Sequence, residues 1–309
     1  MGEGGIGNGL AMIELRTLET FYWVARLGGF RRAAEKLNTT QPAVSARIQQ
    51  LEQAFNTRLI DRDKRHSALT PKGVELFAYA ERMLALRTEM VMAVTEAGSL
   101  RGTVRLGLSE TIVHTWLARL VKRLHERYPA ITLEISVDVS ANLRDALLAG
   151  ELDIALLLGP ISAPKIMNLP LCRYPMAWIA SPDLSIGSGP VTLTELAAWP
   201  IMTYSRQTRP YREVTELFAR VEIPRPRFFA NSSLASIVRM TLDGIGISAI
   251  PPAVIPDELA AGRLRILASD TVLPPLAFTA SYLDQPDNAL AAIVARLAES
   301  VAIEEGHGP

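Results

Sequence analysis

The spacing of apolar residues changes once along this 309-residue chain, near position 100, and that change limits the fold more than any other feature. From Leu15 to about Ala97 apolar side chains recur three and four residues apart, which is how a helix buries one face. From Thr103 onward, short apolar runs of strand length alternate with amphipathic helical segments, the pattern of a sheet crossed by helices. An all-helical domain followed by an α/β domain satisfies both halves. The length allows two domains of roughly 100–200 residues, and a hydrophobic content of 49% supplies a core for each.

The helical half divides further. Leu18, Phe21, Tyr22 and Ala25 share a face of one helix, which Gly28-Gly29 stops. Ala33, Ala34 and Leu37 face inward from a second, ending at Asn38. Thr39 or Thr40 caps a third, with Gln41 and Pro42 in its first turn, where the missing N–H of proline costs little. Val44, Ile48 and Leu51 form its buried stripe, and Gln41, Ala43, Ser45, Arg47 and Gln50 its other face. A tight helix-turn-helix with a small Ala33-Ala34 pair at the crossing lets the last helix project into a DNA major groove. A plain helical hairpin would show the same spacing. The basic run that follows (Arg58, Arg62, Lys64, Arg65 and His66) favours the DNA reading, because such a loop suits phosphate contacts. Leu69-Thr70-Pro71 then restarts a helix through a Thr cap and a Pro at its first position.

Charge supports this division. The chain holds 32 basic and 32 acidic side chains, so its formal net charge is zero. Residues 12–75, however, carry eleven basic against seven acidic ones, and the remainder balances that surplus. A lone cysteine, Cys172, excludes an internal disulfide, and His66, His114, His125 and His307 have no metal-site spacing. No apolar run approaches the ~18–20 residues of a membrane span. The Gly-rich residues 1–11 lack the order of a signal peptide and read as a disordered tail, with Met12 an alternative start. The expectation is a cytoplasmic protein without membrane contact.

The run Phe30-Arg31-Arg32-Ala33-Ala34-Glu35-Lys36-Leu37-Asn38-Thr39-Thr40-Gln41-Pro42-Ala43-Val44-Ser45, followed by Leu51-Glu52 and Leu69-Thr70-Pro71-Lys72-Gly73, closely resembles the winged helix-turn-helix domain of LysR-type transcriptional regulators. The resemblance implies an α-rich winged helix-turn-helix over residues 12–71, a dimerising linker helix over 72–97, and an α/β effector-binding domain over 103–309. That domain would be two-lobed and shaped like a type 2 periplasmic binding protein. It also implies that Gln41, Pro42, Ala43, Ser45 and Arg47 lie at the DNA; Arg31, Thr40, Arg62, Lys64 and Arg65 complete the DNA-binding candidates. Five positions depart from the family pattern. Gly29 and Thr40 stand where members commonly have Ser, Ala46 where many have Arg and Arg47 where many have a polar residue, and Ile60 replaces the usual Phe.

In the linker, Phe77, Ala80, Leu84, Val91 and Val94 fit a coiled-coil seam interrupted by Arg87, with Met83 and Met90 flanking it. About 24 residues of helix reach about 36 Å, more than a small domain needs for its own packing. The expected partners are therefore a second copy of the chain, with a tetramer left open, and double-stranded DNA carrying a dyad-related operator. RNA polymerase is a further candidate partner.

In the second half, Thr103–Leu108, Ile131–Val137 and Asp153–Leu158 read as strands, with a helix over Asn142–Ala149 and an expected parallel sheet. Leu147-Leu148-Ala149-Gly150-Glu151-Leu152-Asp153 matches the helix-Gly-Glu-Leu-Asp-strand turn of the LysR effector domain. The expected lobes are I, about 103–178 and 276–303, and II, about 179–275. Gly244-Ile245-Gly246 serves a helix end, since neither a preceding strand nor a Lys-Ser/Thr pair makes it a phosphate loop. Ligands in such lobes sit beyond strand ends and at helix N-termini. Ser109, Thr111, Ser140, Thr203, Ser205, Asn231 and Ser232 occupy those positions, and Arg206 and Arg209 could offset a carboxylate. The expected ligand is a small organic anion, with no cofactor, no metal and no catalytic residue. An enzyme lacks support, since Cys172 has no His nearby in sequence and neither HExxH nor GxSxG occurs. A solute-binding protein using the same cleft is the alternative reading, and it leaves residues 15–97 without a purpose.

Overall fold

The computed structural model describes residues 13–61, 68–94, 97–187, 189–219, 225–285 and 288–304. The expected tail, Arg62, Lys64, Arg65, His66 and His307 lie outside the described residues. The chain forms two compact units that divide near residue 95.

The first unit opens with α1 (Leu15–Leu27), α2 (Phe30–Lys36) and α3 (Gln41–Ala54). Gly28 ends α1 in the left-handed region, and the Thr40 side chain accepts from the Ala43 N–H at 3.4 Å to start α3. Val44, Ile48 and Leu51 are at most 1% exposed and close over Phe21, Val24 and Ala33. Burial of each such side chain contributes about 1.5–3 kcal/mol. A two-stranded wing follows, with β1 (Ile60–Asp61) antiparallel to β2 (Ala68–Leu69). Glu52 fixes its base, accepting from the Leu59 and Ile60 N–H groups at 2.8 and 3.2 Å.

Thr70 then starts α4 (Pro71–Val94), accepting from the Gly73 N–H at 3.0 Å while its hydroxyl donates to the Arg58 carbonyl. Gly73 is required by proximity: a Cβ there would lie 2.1 Å from the Leu59 oxygen. The two motif segments Leu51-Glu52 and Leu69–Gly73 thus meet at one place, the root of the wing.

α4 departs from the sequence expectation. Ala80 and Leu84 are buried in the unit's own core, and Phe77 packs there too, its ring stacked on Tyr22 at 5.3 Å. Arg87 interrupts the apolar face because it pairs with Glu19 of α1 at 3.5 Å. Beyond Val74, the large apolar residues left exposed among the described side chains of α4 are Tyr79, Met83, Leu86, Met90 and Val94, four, three, four and four apart. The inner face of the helix covers α1, so Phe77, Ala80 and Leu84 of the expected seam turn inward, while its Val94 and the flanking Met83 and Met90 lie on the outward stripe. The side chain of Val91 is outside the described set.

The second unit lays down β3 (Gly102–Leu108), β4 (Ile131–Val137), β5 (Ile154–Leu158) and β6 (Ile166–Tyr174). It crosses to β7 (Ala177–Ala180), β8 (Ile201–Tyr204), β9 (Phe228–Asn231), β10 (Ile247–Ile250) and β11 (Arg265–Leu267), and returns with β12 (Leu276–Leu283). Its helices are α5 (Glu110–Thr115), α6 (Leu117–Arg127), α7 (Ser140–Ala149), α8 (Leu193–Ala197), α9 (Arg209–Ala219), α10 (Leu234–Leu242), α11 (Pro256–Ala260) and α12 (Ala289–Glu304). Two five-stranded sheets result, in the orders β4-β3-β5-β12-β6 and β11-β7-β10-β8-β9.

Neither sheet is purely parallel. β12 runs against both β5 and β6, and β7 against β10. The reason is the double crossing: β6 leaves the first sheet and β12 re-enters it, so adjacent strands must oppose. The second lobe begins by Ala177, which pairs with Ile250, two residues earlier than Ile179. Gly150 ends α7 with φ +76°, where a side chain would be strained, and Asp153 then clamps β3. Its carboxylate accepts from the Arg105 backbone N–H at 2.8 Å and from the guanidinium at 2.6 and 3.2 Å. That is the physical content of the Gly-Glu-Leu-Asp turn.

Candidate functional site

Two regions of the molecule present chemistry, and each belongs to one unit.

On the first unit, α3 turns an almost wholly polar face outward. Gln41, Pro42, Ala46, Gln49, Gln50 and Gln53 are exposed, whereas Ala43 and Ser45 are half-buried at the flank. Amide side chains there offer paired donors and acceptors of the kind that read adenine edges. Arg47 behaves differently from its neighbours. It is half-buried, and its guanidinium donates to the Thr20 hydroxyl on α1 at 3.4 Å. In this conformation Arg47 braces α3 on α1. Arg31 is exposed and paired with Glu35 at 3.0 Å, a link that solvent makes weak and easily exchanged for a phosphate. Thr40 serves as the cap of α3. Gln49 and Gln53, exposed on the same face, did not figure in the sequence reading, although each lies three residues after another outward position, Ala46 and Gln50.

On the second unit, a cleft lies between the two sheets. Its inner chamber, about 370 Å³, is lined by Ser109, Thr111, Ser140 and Ser232 from the expected set. Thr203, Ser205 and Asn231 do not line it. Thr203 is fully buried within β8, the Ser205 carbonyl receives Thr208, and Asn231 accepts from the Ser233 N–H at 2.9 Å. Five polar lining residues were not anticipated: Glu110, Asp138, Tyr204, Thr208 and Ser233. Leu158, Leu276 and Phe278 give the chamber an apolar wall, so it pairs greasy and polar surface as small-molecule sites do.

Hydrogen bonds brace the wall of this chamber and, at Thr111 and Glu110, cross from one lobe to the other. Ser140 accepts from the Leu158 N–H at 3.0 Å and stands 3.5 Å from the Ser109 hydroxyl. Thr111 of α5 meets the Tyr204 hydroxyl of β8 at 3.4 Å. Glu110 reaches furthest. From the first turn of α5 its carboxylate accepts from the Leu234 N–H at 2.5 Å and the Ser233 hydroxyl at 3.3 Å, both at the N-terminus of α10 in the other lobe. His114, one turn on, lies 3.7 Å from the same carboxylate. Burial alone would raise the Glu110 pKa; hydrogen bonding from His114 and the Leu234 amide outweighs it, and the carboxyl sits below its ordinary value.

Glu110→Ala should therefore destabilise the second unit by about 1–3 kcal/mol, because Leu234 N–H and the Ser233 hydroxyl lose their acceptor. The sign of the pH dependence follows from the lowered pKa. Stability from Glu110 is fully present above about pH 5 and is lost as the pH falls through the depressed value. Thermal melting of wild type and variant at several pH values checks this; curves that stay parallel down to pH 3 would refute it.

An outer chamber of about 360 Å³ adjoins the inner one and shares Ser140, Leu158 and Thr208 with it. Arg144, Arg209 and Arg212 line it. Arg206 is exposed but lines neither chamber. Cys172 is buried away from both, and burial pushes its thiol up to about 12, so it stays protonated and unreactive.

Comparison with known proteins gives both regions a context. Residues 15–74 match the model described as bacterial regulatory helix-turn-helix protein, lysR family, and residues 97–302 match the LysR substrate binding domain. Among characterised relatives, the HTH-type transcriptional regulator BbuR of Bordetella bronchiseptica is 27% identical over 254 residues, 82% of this chain and 78% of that protein. Among solved structures, CrgA, a LysR-type transcriptional regulator from Neisseria meningitidis, is 27% identical with a TM-score of 0.53, over 93% of this chain and 98% of that one. Full-length LysG from Corynebacterium glutamicum, solved with bound effector Arg, is similar in fold: TM-score 0.60, 19% identity, 94% of this chain and 98% of that one.

Proposed function

The chain belongs to the LysR family of bacterial transcriptional regulators, and from that premise we propose how its parts divide the work. It is a DNA-binding regulator with an effector-binding domain. No helix among the described residues is long and apolar enough to cross a membrane.

We infer that α3 enters the major groove with Gln41 and Pro42 leading, that the wing cations Arg62, Lys64 and Arg65 meet phosphates, and that Arg31 joins them. The observation that carries this reading is the outward amide face of α3 held by its buried stripe at Val44, Ile48 and Leu51. Two chains associate through the exposed stripe of α4, giving two reading heads and a dyad-related operator. A small molecule binds in the cleft and biases the arrangement of the heads, a coupling of about 1–3 kcal/mol in ordinary allosteric proteins. An anionic group on that molecule finds cations only in the outer chamber among the cleft-lining residues described.

Binding of full-length protein to the control region of its own gene tests the DNA assignment, using two variants with different signatures. Gln41→Ala should weaken cognate binding by about 1–3 kcal/mol and relax specificity at its base pair. Lys64→Ala should weaken all DNA alike and reduce the salt slope by about one. Equal losses by Gln41→Ala on cognate and random DNA would remove α3 from base readout, and an unchanged salt slope would remove the wing from the phosphates.

A further inference from the structure

The sequence places an anion at the N-terminus of α10, where free N–H groups and the helix dipole favour negative charge. In the structure that position is taken by the chain itself: Glu110 accepts from the Leu234 N–H and the Ser233 hydroxyl. The inner chamber also presents Asp138, and no lysine or arginine among the described residues lines it. Asp138 directs one carboxylate oxygen to the Val139 N–H and the Asn142 amide and is otherwise exposed. A second carboxylate entering there would meet two like charges and no counter-ion. A donor-bearing group would meet two acceptors and a ring of hydroxyls. The outer chamber has the opposite character. Arg144 holds an exposed pair with Asp145 and Arg209 a half-exposed one with Glu213, and Arg212 has no ionic partner among the described residues. Ser140, Leu158 and Thr208 line both chambers, which sets the acidic and the basic one side by side.

We propose that the effector is dipolar, with an anionic group held by Arg209 and Arg212 in the outer chamber and an ammonium or similar donor group held by Asp138 in the inner one. The assignment rests on the reading of the cleft as the effector site. Planar guanidinium forks suit a carboxylate or phosphate end, and a compact cation suits the hydroxyl-lined end. Joining the two ends in one molecule makes the second contact intramolecular, so the whole ligand outbinds either half.

Calorimetric titration of the full-length protein with three matched series tests this: ω-amino acids of increasing chain length, and the corresponding alkanoates and alkylamines. The expected result is a length at which the ω-amino acid binds at least about tenfold more tightly than either half-molecule. Arg212→Gln should reduce its affinity to that of the alkylamine, and Asp138→Asn to that of the alkanoate; both side chains are exposed, and circular dichroism verifies that the variants fold. Alkanoates binding as tightly as ω-amino acids, a margin that survives both substitutions, or no binding in any series would each overturn the dipolar assignment. Ser232→Trp, which fills the inner chamber, tests the cleft separately. A DNA footprint that answers to another small molecule in wild type but not in Ser232→Trp keeps the cleft while the dipolar assignment falls. A response indifferent to Ser232→Trp removes both.

Discussion

Replacing Ile48 by alanine is expected to destabilise the first unit by about 2–5 kcal/mol and to weaken operator binding with no change at any DNA-facing residue. Ile48 has no exposed surface and sits at the middle of the α3 stripe, with Val44 one turn before it and Leu51 one turn after. Truncation removes the transfer free energy of its side chain and leaves a cavity where α3 rests on α1 and α2. A domain of this size holds only about 5–15 kcal/mol of net stability, so such a loss is a large part of the whole. Hydrogen exchange over residues 15–54 reads the effect in this unit, and Gln49→Ala, an exposed neighbour, should stay within about 0.5 kcal/mol of wild type. A loss below about 1 kcal/mol for Ile48→Ala would mean that the stripe is not what holds the reading helix.

Leu86→Glu is expected to convert the associated protein to monomers. Leu86 is 65% exposed in the single chain, in line with Met83 and Met90. A two-fold interface buries each residue twice, so about 1.5–3 kcal/mol per leucine becomes about 3–6 per dimer, and two carboxylates are also brought face to face. The dissociation constant should rise by roughly two to four orders of magnitude. Sedimentation velocity on the full-length chain measures this. An unaltered monomer–dimer equilibrium would place the contact somewhere other than the α4 stripe.

α3 could be read almost residue by residue, since a Thr cap, a Pro in the first turn and apolar spacings of four and three are local signals that tertiary packing reinforced. β12 was legible as a strand but not in direction, because direction depends on which sheet the chain returns from, a non-local fact. α4 carries two apolar faces on one helix, and periodicity alone does not say which is covered by the same chain. Hydroxyls near strand ends located the cleft, and Ser109, Thr111, Ser140 and Ser232 do line it. Its charge character was hidden, because Glu110 and Asp138 look like ordinary surface acids until the second lobe brings Ser233 and Leu234 opposite Glu110.

The bond between α4 and α1 has a mechanical consequence. Phe77, Ala80 and Leu84 lock the helix into the core of the reading head, and Arg87 pins it once more at Glu19, so no joint separates the two. The outward stripe at Met83, Leu86 and Met90 lies on a neighbouring face, about a third of a turn around the same axis by the 3.6-residue period. Head and helix together act as a crank of fixed throw. With two copies paired through that stripe, as proposed, the angular offset between two faces of one helix would set how far apart the heads stand, and so the operator spacing.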